Sequence, residues 1–102
     1  MAPARTWNPL DLVGFTFSLV DSKRRLSFTF NEEGLAATTA GRVGGPVTAP
    51  LLNWRIDKDG LLHIEDPGGG KPHMRMRKQC AGDRSFVVDL DGTREEFVRD
   101  RK

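Results

Sequence analysis

His63 and His73 are the only histidines in this 102-residue chain, and Cys80 is its only cysteine. The two imidazoles lie on runs joined by the flexible stretch "DPGGGKP" (66–72), so they could meet across a hairpin and hold a metal or a haem. No cysteine or clustered carboxylate supports such a site. Both also fall on the outer side of their runs, which makes them surface histidines of a hairpin. Cys80 follows the basic stretch "RKQ", but no histidine or amide partner is placed to activate it. Ser18, Ser22, Ser27 and Ser85 stand in strand or turn contexts without a nucleophile elbow. Glu32/Glu33 and Glu95/Glu96 are adjacent pairs, which a strand would point to opposite faces rather than at one substrate.

Three acidic, glycine-closed tetrads raise the question of calcium: Asn31–Gly34, Asp57–Gly60 and Asp89–Gly92. A helix–loop–helix calcium loop needs oxygen ligands at positions 1, 3, 5 and 12 around its central glycine. With Gly60 as that glycine, position 1 is Arg55 and position 12 is Asp66. With Gly92, Val87 and Val98 fill those places. A β-turn asks only for Asp or Asn first and Gly last, so all three read as hairpin turns. "GGGK" (68–71) fails as a phosphate loop, because Glu65 and Pro72 occupy the positions of its first glycine and its Ser/Thr. No catalytic group, metal site or cofactor motif assembles. The reading leans away from an enzyme and leaves that question open.

What must position these residues is a set of short strands. Val13, Phe15, Phe17 and Leu19 alternate with Gly14, Thr16 and Ser18, and Leu26, Phe28 and Phe30 alternate with Ser27 and Thr29. The polar "DSKRR" between them completes a hairpin. "GLAATTAG" is a weaker strand. "GRVGGPVTAP" (41–50), with its glycines and prolines, reads as a long irregular loop. "LNWRI" and "LLHIE" flank the Asp57 turn, "HMRMRKQ" alternates Met74 and Met76 with Arg75 and Arg77, and "RSFVVDL" and "TREEFVR" form the last hairpin. Only "PLDLVG" and the closing "REEFVRDRK" could hold a short helical turn.

The expected fold is all-β: seven or eight short strands in an antiparallel meander that closes into a β-barrel and so removes exposed edges. Residues 1–102 form one domain, with 1–9 and 100–102 as terminal segments. Phe15, Phe17, Phe28, Phe30, Trp54, Ile56, Leu62, Ile64, Met74, Met76, Phe86 and Val88 should point inward. The net charge of +2 is too small for a dedicated phosphate-binding surface. The basic runs 23–25, 75–78 and 99–102 are broken by acids and read as a solvated outer face, which makes nucleic acid a weak candidate partner. No run approaches the ~20 apolar residues of a membrane span. The start of the chain has no secretory pattern, and the lone cysteine suits a reducing compartment. A bacterial cytoplasm is the expected setting, and no membrane partner is expected.

Trp7-Asn8-Pro9-Leu10 followed by Leu12-Val13-Gly14-Phe15 resembles the opening of the lipocalin-like (calycin) barrels, a short turn and then a glycine-marked first strand. "NWRIDKDGLLHI" is similar to a hairpin of their middle strands, although Thr16 stands where their Gly-x-Trp has its tryptophan. The resemblance implies a small-molecule or protein-binding barrel. The function expected is therefore a non-enzymatic binding module. A small apolar ligand would sit in a barrel-mouth pocket among Phe15, Phe17, Phe28, Trp54, Met74 and Met76, with Arg42 or Arg75 as polar anchor. Two alternatives stay open: a protein-interaction or inhibitor domain using the 41–50 loop or a sheet edge over a solid core, and nucleic-acid binding through the basic strands.

Overall fold

A computed structural model describes residues 6–69 and 73–101. Part of the expected 66–72 connector, the first five residues and the end of the 99–102 run lie outside the described residues. The short α1 (Pro9–Leu12) precedes nine strands: β1 (Phe15–Leu19), β2 (Arg24–Phe30), β3 (Leu35–Arg42), β4 (Val47–Thr48), β5 (Leu51–Ile56), β6 (Leu62–Glu65), β7 (His73–Ala81), β8 (Ser85–Leu90) and β9 (Thr93–Arg101). All strand pairs are antiparallel and nearly all join chain neighbours. The β1–β9 and β2–β3 pairings close the ring. Eight strands make the barrel. β4 stands outside the ring, paired to β3 through Ala40↔Thr48 and Gly41↔Val47.

The period-2 pattern carries through to packing. All twelve residues expected to point inward belong to the core or pack directly against it, and Phe17, Phe28, Leu62, Ile64, Met76 and Val88 are essentially inaccessible. The Phe rings pack edge-on and tilted, with Phe17 5.6 Å from Phe30 and Phe28 6.1 Å from Phe97. A barrel of this strand number is just wide enough for such side chains.

Turn chemistry sets the registers. Gly34 and Gly60 close their turns at φ +83° and +81°, donating to the carbonyls of Asn31 and Asp57. The side chains of those two residues accept two backbone N–H groups each. The third tetrad differs. Asp89 lies inside β8, and Asp91-Gly92 is a two-residue hairpin loop with both φ positive, the twist-matched turn for tight hairpins. The "GLAATTAG" run is a strand as expected, β3, where pairing to β2 over seven positions outweighs alanine's helical preference. One other expectation changes. The closing "REEFVRDRK" is strand β9 and not a helical turn, since Phe97 must enter the core opposite Phe86.

The two barrel ends are closed differently. At one end Trp7, within the stretch read as terminal, is 4% exposed and stacks on Phe86 at 5.7 Å. Its Nε1 donates to the Met76 carbonyl at 2.9 Å, and its backbone N–H donates to Gly60. Pro9 opens α1 behind a capping box formed by Asn8 and Asp11, and Leu12 is driven fully into the core. A Cβ at Gly60 would collide with Thr6, so that turn is shaped to receive this segment. At the other end Arg24 bridges Asp21 and Glu95 at 2.8 Å each, above the partly buried Leu19, Leu26, Met74 and Leu90.

Candidate interaction surface

The residues expected to line one ligand pocket are spread through the barrel. Phe15 lies at the α1 end, where the guanidinium of Arg99 sits 4.3 Å from its ring. Phe17, Phe28 and Met76 are in the packed middle, at most 1% exposed. Trp54 packs against Phe30 and donates from Nε1 to the Asn31 carbonyl. Met74 lies toward the opposite end. Arg42 and Arg75 are exposed on different strands, on opposite sides of β5 and β6 in the strand order. No recess described brings these residues together.

The basic runs are also divided by the fold. Lys78 belongs to the basic run 75–78 expected on the outer face, but it shares the inward face of Met74 and Met76 and pairs with Val88. It is 6% exposed, its Nζ lies 3.2 Å from Asp11 Oδ2, and it stands over the Trp7 ring. Arg99 donates to the Asp11 carbonyl at 3.1 Å. These cations hold α1 in place and are not available as one basic stripe with Arg75 and Arg77.

His63 corrects a second expectation. It is 8% exposed rather than a surface histidine, because Asp57 and His73 cover it. Its Nε2 lies 2.8 Å from Asp57 Oδ2, and its Nδ1 lies 3.0 Å from His73 Nε2. Glu65 is 3.6 Å from His73 and is held by Arg55 at 2.7 Å. With Asp57 ionised, His63 donates from Nε2 to the carboxylate, and its Nδ1 shares a hydrogen bond with His73 Nε2. Among the described residues, no group of three or more His, Cys, Asp or Glu could hold a metal ion. The cluster ties β5, β6 and β7 together on the outer wall.

The hydrogen bond from His63, with the backbone N–H of Leu61, holds the Asp57 carboxyl at about 2, below its ordinary 3.8. Asp21 is likewise lowered to about 2 by the backbone N–H groups of Arg24 and Lys23 and by the Arg24 side chain. Carboxyls depressed in the folded state stabilise it above the unfolded-state value. That stabilisation is lost as pH falls from near 3.8 toward 2. The urea midpoint is therefore expected to fall over that window, and the fall should be shallower in Asp57→Asn. Parallel acid limbs for the two proteins would contradict the assignment.

The surface that stands out is the hairpin after β3. Val43, Val47 and Leu51 are 51%, 48% and 56% exposed, whereas Leu10 and Val20 are the only other large hydrophobics exposed among the described residues. Gly41 lets this hairpin fold back tightly: a Cβ there would collide with the Pro46 carbonyl and lie 2.8 Å from the Val47 Cα. The Val43 N–H donates to Lys23 at 2.9 Å, tying the hairpin to the β1–β2 turn. The stretch 41–50 expected as irregular thus contains β4 and is held at both ends.

No family model matches the chain, and no match appears among the curated proteins or the solved structures compared with it. No helix among the described residues is long and apolar enough to cross a membrane.

Proposed function

We propose that this chain is a non-enzymatic, lipocalin-like binding module that works through its outside, engaging a protein partner with the 41–51 hairpin. Exposed Val43 and Val47 on the β3–β4 hairpin, with exposed Leu51 at the start of β5, support this reading. Apolar side chains clustered on a tied-down hairpin cost solvation free energy in the isolated protein, and a partner that covers them removes that cost. The packed middle of the barrel acts as scaffold. A reducing, bacterial cytoplasm remains the proposed setting.

A small apolar ligand at the barrel mouth is the second reading, favoured by the partly buried Leu19, Leu26, Met74 and Leu90 at the same end as the hairpin. Photocrosslinking in the source cells separates the two. Benzoylphenylalanine at position 47 should yield one discrete protein adduct, and the same group at position 77, on the far wall, should not. Adducts at neither position, with excess mass retained in native mass spectrometry and lost on denaturation, would favour the small ligand instead.

A further inference from the structure

Strand pairing divides the outer wall into two unlike halves. On β6 to β9 the outward positions carry His63, Glu65, His73, Arg75, Arg77, Asp89, Arg94, Glu96 and Asp100, with Cys80, Ser85, Val87 and Val98 between them. On β1 to β3 they carry Thr16, Ser18, Ser27, Thr29, Ala37 and Thr39, with Arg25 as the one charged residue. The Ser18–Ser27–Thr39 and Thr16–Thr29–Ala37 rows run straight across the three strands, and the second continues to Leu51 on β5. Val47 pairs with Gly41 on the same outward face. Half of the wall is thus a smooth, hydroxyl-lined face ending in the exposed apolar hairpin, in a chain that is 29% charged.

Charge at this border has one sign. Lys23, Arg25 and Arg42 surround Val43, are exposed, and make no ion pair among the described residues. Asp21 and Glu95, the carboxylates at the same end, are both engaged by Arg24. Glu32 and Glu33 lie in the β2–β3 turn at the far end of these strands, and Glu96 lies on β9, where the charged half begins.

From this, and resting on the protein-partner reading above, we propose that the β2–β4 face recognises an acidic segment of another protein with apolar side chains between its carboxylates. Apolar groups would cover Val43, Val47 and Leu51 while carboxylates meet Lys23, Arg25 and Arg42. Simple strand addition to the hairpin edge fits less well. Pro46 and Pro50 lack N–H donors, and the Pro50 carbonyl already accepts from Thr38. A second copy of this chain would set the three cations against themselves, so self-association is disfavoured on charge.

The test uses fluorescein-labelled octapeptides and fluorescence anisotropy with the full chain. An alternating Glu/Leu peptide should bind at least ten-fold more tightly than Lys/Leu or Glu/Ser controls, with affinity falling as salt rises. Val43→Ser/Val47→Ser and Arg25→Glu/Arg42→Glu should each weaken it at least ten-fold while melting as the parent does. Equal binding of the Lys/Leu peptide, or no loss in either double variant, would overturn the proposal. So would tighter binding to phosphatidylserine/phosphatidylcholine vesicles than to the Glu/Leu peptide, or dimerisation through this face in sedimentation equilibrium. A crosslinked partner at position 47 without Glu/Leu binding would overturn the acidic chemistry alone and leave the protein-partner reading standing. Silence in both experiments would remove both.

Discussion

Replacing Trp7 with alanine is expected to cost about 3–5 kcal/mol of folding stability, the range for deleting a buried aromatic side chain. The indole is 4% exposed, stacks on Phe86 and meets Phe17 edge-on at 5.8 Å. Its removal opens the α1 end of the barrel. It also removes the buried hydrogen bond from the indole to the Met76 carbonyl, which adds to the cost. Each kcal/mol should lower the melting temperature by roughly 4–8 °C in a domain of this size. Trp7→Phe separates the two contributions, since it keeps most of the packing and loses the hydrogen bond, for about 1–2 kcal/mol. Urea denaturation of both variants is the check. A loss under 1 kcal/mol in Trp7→Ala would mean that the segment is not part of the fold's core.

The second large effect lies beside it. Asp11→Ala should cost about 3 kcal/mol, near the lower end for breaking a buried ion pair, because the Asp11 side chain keeps 30% of its exposure. The substitution strands the Lys78 ammonium inside the barrel mouth and removes the carboxylate that caps the Asn8 N–H. Lys78→Met, by contrast, should be close to neutral. A thioether of similar length fills the same space beside Trp7 and Val88 and needs no counter-charge. The double variant Asp11→Ala/Lys78→Met is then expected to recover most of what Asp11→Ala loses, with a coupling energy above about 1 kcal/mol. Equal stabilities for Asp11→Ala and the double variant would show that Lys78 escapes to solvent when its partner is removed.

These two predictions concern residues whose roles were hardest to read from the chain. Lys78 sits two positions beyond Met76 in the same alternation, so the inward assignment was available from its spacing. The neighbouring Arg75 and Arg77 instead made it look like part of an outer basic run. The signal for Trp7 was the cap behind it: Asn8, Pro9 and Asp11 at capping-box spacing announce a helical turn, and a tryptophan just before such a turn is placed to pack. His63 offered less. Its position on the outer face followed correctly from Leu62 and Ile64, but its burial comes from Asp57 and His73 folding over it, and those contacts depend on turn geometry and on the β6–β7 register.

The sequence by itself determined the meander, the inward face of nearly every strand, and the places where the chain turns. Period-2 alternation of Phe, Ile, Leu and Met against polar residues admits one strand orientation per run, and Asp or Asn ahead of a glycine admits a hairpin between runs. The tertiary structure alone decided which strands meet to close the ring, the fate of the two ends, and how the candidate surface extends beyond the 41–50 stretch. Closure needs Phe15–Leu19 to meet Thr93–Arg101 across the whole length of the chain, and local pattern carries no record of that pairing. The interaction face depends on it further. The hydroxyl rows of β1, β2 and β3 become one smooth surface, bordered by Val43, Val47 and Leu51, only when three registers align them. In the chain those residues are scattered among ordinary strand alternations, where an outward serine and an exposed valine look like any others.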